Sequence, residues 1–180
     1  ETAKGYTVKD IKEFYHYYSW GRHPESLSNK TNQLFGEMTE LASTLLTWIE
    51  KHLPEETAKK LQMPLSKMIE DSPQSLLRVI HYPPLSGNEP EGAIRAAAHE
   101  DIDHLTILPA ATASGLQVKD SDGNWHDIVC DPGTIAVNAG DMLQECTDGY
   151  YRSTTHRVCN PQGESKGTSR LSMPLFLHAR

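Results

Sequence analysis

Cysteine is scarce in this chain: three residues in 180, Cys130, Cys146 and Cys159, with no Cys-x-x-Cys spacing. An odd count spaced in this way argues against a disulfide framework or a zinc knuckle. It makes a reducing cytoplasm the default expectation, with the three thiols buried as small hydrophobes. Clusters of Lys and Arg are also missing, and the net charge is −7, which argues against a nucleic-acid or anionic-membrane partner. No apolar run approaches the length of a membrane span, and no signal peptide is visible. Repeats and low-complexity tracts are absent too. The chain opens at Glu1 without an initiator Met, so a preceding segment is expected. Nothing in the composition fixes an oligomeric state.

What is present suits one domain of ordinary size with its own core: 37% hydrophobic and 23% charged residues. Up to about residue 28 charge mixes with aromatics, as in Phe14-Tyr15-His16-Tyr17-Tyr18, a composition that packs a loop or edge strand onto a domain. Leu34, Met38, Leu41, Leu45 and Trp48 then fall on one face of a helix predicted from about Asn29 to Leu53. Ser28 or Asn29 can cap its start, and Pro54 lies past its end. A weaker helical stretch follows from Glu55 to Met63 or Ile69, interrupted by Pro64. After Ser75 the pattern turns to strands: Leu76–Tyr82, Gly115–Val118 and Trp125–Val129, the last two joined across an Asp122-Gly123 turn. Further strands are predicted at Thr134–Val137, Met142–Cys146, Thr155–Val158 and Ser169–His178. Many short strands behind a helical lead-in imply a mainly β sandwich or barrel with supporting helices. Residues 1–75 form the lead-in and 76–180 the core.

The stretch Ala96-Ala97-Ala98-His99-Glu100-Asp101-Ile102-Asp103-His104-Leu105-Thr106-Ile107-Leu108 reads as a strand. On a strand, residues two apart share a face, so His99 and Asp101 would aim an imidazole and a carboxylate into one space. Two such ligands suit a divalent metal, and a third would complete a two-His-one-carboxylate triad with open coordination positions. His-x-Asp alone also arises often by chance, and such a His is commonly a surface or hydrogen-bonded core residue.

Downstream come Gly140-Asp141-Met142-Leu143, the block Arg152 to His156-Arg157-Val158, and Arg170-Leu171-Ser172. Together with His99-Glu100-Asp101 to Leu108 and with Gly115-Leu116-Gln117-Val118, they occur in the order found in the iron/2-oxoglutarate dioxygenases of the isopenicillin N synthase-like superfamily, which this chain resembles. The likeness covers at least residues 76–180, and Glu1–Phe14 also resembles the family's N-terminal part. The resemblance implies a double-stranded β-helix, a jelly roll of two facing sheets, behind a helical N-terminal part. It implies Fe(II) held by His99, Asp101 and His156, the second His lying 57 residues after the first. Two neutral imidazoles and one carboxylate leave an open face for cosubstrate and O2.

Arg170 and Ser172 match the family's Arg-x-Ser, which implies that they bind the distal carboxylate of 2-oxoglutarate. Tyr82 lies where the family often has a cosubstrate-contacting Tyr; Ile80 stands where many plant members have Asn. Tyr82 is therefore either a cosubstrate contact or a core aromatic whose hydroxyl bonds elsewhere. Arg95, four residues before His99, faces the site if the strand is regular and turns away if a bulge intervenes. Asp103 and His104 are expected to support the ligands or face solvent rather than bind the ion. The implied activity is oxidation of a small organic substrate by hydroxylation, desaturation or ring closure, with release of succinate and CO2. Three other readings stay open: an iron oxidase that needs no cosubstrate, a binding module with a vestigial metal site, and a zinc hydrolase. The loop from Asn160 to Thr168 is longer than usual for the family, and the connection around Arg22–Ser28 and both ends of the chain are shorter.

Overall fold

Alternation sets the architecture. In β2 (Leu76–Tyr82) the residues Leu76, Ile80 and Tyr82 are buried toward one side while Leu77 is buried toward the other, so both faces of this strand are covered. A computed structural model describes residues 5–26 and 28–180; Glu1–Lys4 and Leu27, at the start of the N-terminal resemblance and within the Arg22–Ser28 connection, lie outside them. Two antiparallel sheets face each other. The larger runs β1 (Glu13–Tyr17), β2, β10 (Leu175–Leu177), β4 (Leu105–Pro109) and β7 (Ile135–Ala139), with β9 (Arg170–Ser172) also paired to β2. The smaller runs β3 (Ala96–His99), β8 (His156–Val158), β5 (Leu116–Lys119) and β6 (Trp125–Asp127). The fold is the double-stranded β-helix, and the aromatic N-terminal stretch supplies its edge strand β1, as its composition predicts.

The long helix α1 (Lys30–Lys51) covers the outer face of the larger sheet, packing on β4 and β10. Its buried line is Met38, Ala42 and Leu46, which joins Leu77, Leu105, Ile107, Leu175 and Leu177 in the main core. Of the expected stripe Met38 is buried and Leu34, Leu41 and Leu45 pack against this core, while Trp48 is 58% exposed. Asn29 is the N-cap residue, without a side-chain cap bond. Two single turns follow, α2 (Glu55–Ala58) and α3 (Leu65–Met68), and Pro64 starts the second, where a missing N–H costs nothing.

Three strand expectations are corrected. Residues 96–108 are not one strand: β3 belongs to the smaller sheet and β4 to the larger, and residues 100–104 cross between them. Met142–Cys146 lies within a short helix, α4 (Asp141–Cys146), which turns Leu143 and Thr147, four residues apart, into the core together. Ser169–His178 divides into β9 and β10 at Pro174, which has no N–H for a ladder; its carbonyl accepts from the Arg78 amide at 2.9 Å. The cysteines are free and half-buried rather than fully buried.

Candidate metal centre and cosubstrate cavity

β3 and β8 are neighbours, and their register sets His99 opposite His156. Each ring's Nδ1 contacts a carbonyl of its own chain segment, His99 at Ala97 O (2.8 Å) and His156 at Thr154 O (2.9 Å). A carbonyl only accepts, so both Nδ1 atoms carry the proton and both Nε2 atoms present lone pairs. The rings lie 4.4 Å apart between centroids. Asp101 Oδ1 stands 3.9 Å from His99 Nε2 and 3.7 Å from His156 Nε2. One ligand atom from each residue lies within 4.8 Å of the others. Burial, then the neighbouring His156, pushes His99 below the ordinary imidazole range, which favours the neutral form a metal needs.

Asp101 reaches this position from the crossing segment, not from the strand. The first amides of α4, which have no partner within their own helix, take up the carbonyls of that segment: Asp141 N donates to Asp101 O (2.8 Å) and Met142 N to Asp103 O (3.1 Å). Gly140 is required here because a Cβ would lie 2.8 Å from Asp101 O and closer still to Asp103. The other carboxylate oxygen, Asp101 Oδ2, accepts from Thr106 Oγ1 (2.7 Å) and Asn138 Nδ2 (3.0 Å) of the larger sheet. Thr106 Oγ1 also lies 3.0 Å from Asp103 Oδ2, but its single hydrogen serves only one acceptor. Burial, then the charge of Asp101, pushes Asp103 up to about 8; near neutral pH it keeps its proton and can donate to Thr106 while Thr106 donates to Asp101. Thr106 and Asn138 were not among the site residues expected from sequence. The available signal was a polar residue inside an apolar run, which has to find a buried partner.

Asp103 and His104 are both fully buried, so neither faces solvent. Asp103 supports the ligand carboxylate through Thr106. His104 points away from the centre, toward Met68 Sδ at 3.4 Å, and burial pushes it down to about 4.

At the closed end of the cavity β9 turns Arg170 and Ser172 inward and Leu171 outward, the shared face expected of Arg-x-Ser. Tyr82 is the register partner of Arg170 and lines the same cavity. The Arg170 Cζ lies 5.1 Å from the Tyr82 ring centroid, and its Nε donates to Ala113 O at 2.9 Å. Its Nη1 is buried without a partner. Arg95 does not line this cavity: the register of β3 shifts between Ala96 and His99, and the side chain lies 6.0 Å from the Tyr82 ring centroid and lines a separate cleft with Asn160 and Thr168. Nearer the opening stand Arg78 and Lys12, the latter 2.8 Å from Asp10.

The residues present fit both groups that the sequence resemblance implies. Three convergent donors, with the second atom of each already bonded, suit an ion of the first transition row, and the orphan guanidinium nitrogen suits a carboxylate. The fold and site together define a jelly-roll protein with a His/Asp/His cluster able to hold a metal ion. The family description "2OG-Fe(II) oxygenase superfamily" matches residues 73–179, and the chain belongs to that superfamily. It is 37% identical over 101 residues to a 2-oxoglutarate-Fe(II) type oxidoreductase of Aspergillus fumigatus, covering 56% of this chain and 29% of that protein. It is 31% identical over 156 residues to gibberellin 2-beta-dioxygenase 3 of Arabidopsis thaliana, covering 86% and 44%. A crystal structure assigned as an oxygenase from Shewanella oneidensis superposes with a TM-score of 0.88 at 54% identity, over 96% of this chain and 64% of that one. The chain thus spans less than half the length of these two curated relatives.

Proposed function

We propose that this chain is the catalytic core of an Fe(II)- and 2-oxoglutarate-dependent dioxygenase acting on a small organic substrate. The observation that carries the reading is the pairing, in one cavity, of the His99–Asp101–His156 cluster with the unpartnered Arg170 Nη1. His99, Asp101 and His156 would hold the iron, with Asp101 ionised and both Nε2 atoms unprotonated. Arg170 would bind the distal carboxylate of 2-oxoglutarate with Ser172 beside it, and Tyr82 would wall the same end. Iron with 2-oxoglutarate and O2 supplies the oxidising power that breaks a substrate C–H bond, with succinate and CO2 released. The chain's own work is to orient and to exclude water. Thr106 and Asn138 hold the Asp101 carboxylate in place, and Ile80, Leu116 and Val158 give the cavity apolar walls. Arg78 and Phe176 near the opening support a substrate that combines a polar group with an apolar body. No helix among the described residues is long and apolar enough to cross a membrane, and the three free thiols support a reducing, cytoplasmic setting.

Anaerobic titration with Fe(II) and then 2-oxoglutarate tests the reading through its visible absorption. A band that forms with the wild type, is lost in His99→Ala and weakens in Arg170→Ala is expected. Iron binding with no band, and turnover without succinate, would favour an oxidase that needs no cosubstrate. Absent iron binding would leave a binding module.

A further inference from the structure

Among the described residues Arg95 and Arg170 are the buried cations beside Tyr82, 1% and 2% exposed; Arg170 lines the closed end of the cavity, and Arg95 lines a separate cleft with Asn160 and Thr168. Both guanidinium groups lie against the same ring: Arg95 Cζ is 6.0 Å and Arg170 Cζ 5.1 Å from the Tyr82 centroid. Arg95 Nη2 donates to Thr168 O at 2.8 Å, while its Nε, like Nη1 of Arg170, is buried without a partner. Among the described residues no carboxylate forms an ion pair with either. Tyr82 cannot supply the countercharge, because burial raises its phenol above the ordinary value and keeps it neutral. Two buried, unneutralised charges are costly in the empty protein and mark a place where a ligand brings negative charge. A 2-oxo acid with one carboxylate would spend it at the metal, whereas a dicarboxylate delivers a second one to this end.

We infer that Arg95, acting from beside Tyr82, is a second cationic positioning residue that makes the closed end of this cavity selective for a dicarboxylate cosubstrate. The inference rests on the dioxygenase reading above. Arg95 contributes its field and the seat of the Tyr82 ring, not a direct contact, since it does not line the cavity. The cation–π geometry on Tyr82 and the bond to Thr168 O hold it in place.

The test is calorimetric titration of anaerobic, Fe(II)-loaded protein with 2-oxoglutarate and with 2-oxobutyrate, which lacks the distal carboxylate, in wild type, Arg95→Met and Arg95→Lys. In Arg95→Met, 2-oxoglutarate is expected to bind about tenfold more weakly, as suits one charge felt from beside the ring at intermediate dielectric, and 2-oxobutyrate to change by less than about twofold. Arg95→Lys should retain most of the preference. Melting of the ligand-free, metal-free proteins gives a readout that a merely structural role would move the other way. Arg95→Met should melt no lower than wild type, because it removes an uncompensated buried charge. An equal loss for both acids, an unchanged ratio, or an Arg95→Met protein that melts well below wild type or fails to fold would each overturn the inference and leave the dioxygenase reading intact. A wild type that binds iron but shows no preference for 2-oxoglutarate would sink that reading and the inference with it.

Discussion

The two ends of the cavity solve opposite problems. At the metal end the far atom of each of the three side chains is held by protein: both Nδ1 atoms bond carbonyls and Asp101 Oδ2 has two donors, which leaves free on these side chains the three atoms that face one another. At the closed end two guanidinium groups keep nitrogens with no partner. The first arrangement fixes geometry before any ion arrives, which metal centres need because misplacement of a ligand atom is costly. The second holds unspent charge whose partner comes with the ligand. Shape is thus built in at one end, and electrostatic demand at the other.

The comparison can be broken most directly by Asp101→Ala, which removes the one charged ligand. Fe(II) affinity is expected to fall by at least about a thousandfold, more than loss of a supporting partner would cost, as read by equilibrium titration with a competing chelator. Arg170→Gln should leave iron binding intact and weaken 2-oxoglutarate about a hundredfold, the scale of losing one partner of a buried charged pair; a parallel loss of iron would show that the two ends are not separable. Gly140→Ala forces a methyl group into the backbone of the crossing segment and should lower stability by about 2 kcal/mol, seen in urea unfolding, while reducing iron affinity through Asp101. Asn138→Ala removes one of the two donors to Asp101 Oδ2, and about a tenfold loss of iron affinity with unchanged 2-oxoglutarate selectivity is expected.

Acid sharpens the contrast. His99 is depressed from 6.5 by burial, so in the folded chain it stays neutral, and able to bind iron, to lower pH than a free imidazole would. Its contribution to iron binding is present above its folded-state value and is lost as pH falls through it. The guanidinium groups do not titrate in this range. Iron affinity should therefore drop on acidification while the preference for a dicarboxylate, measured at saturating iron, stays flat. A preference that collapses together with iron affinity would contradict the division of labour.

Much of this was legible in the sequence because order along the chain carries information that single motifs do not. His99 and His156 are far apart, and it was the resemblance carried by the ordered blocks that paired them; the structure sets them opposite each other on β3 and β8. Arg170 and Ser172 were singled out by the family resemblance, and their shared face was legible because period-two alternation survives in a three-residue strand. Asp101 was found for an incomplete reason: it shares the space with His99, but through a crossing segment anchored on α4 amides rather than through a strand face. Such anchoring is tertiary and leaves no local pattern. Met142–Cys146 misled because its apolar residues suit either a strand or a single helical turn, and only the partners of Leu143 and Thr147 decide. The side of the sheet taken by Arg95 depended on a register shift that no side-chain pattern announces.

Asp101 touches both sheets: one carboxylate oxygen faces the histidines of the smaller sheet, the other is held by Thr106 and Asn138 of the larger. The third ligand is therefore in position only after the two sheets have closed on each other. A chain in which the sheets have not closed would offer at most two of the three together, a weaker trap for iron. On the proposed reading, order of assembly would reserve a redox-active ion for molecules whose walls are already in place to contain it.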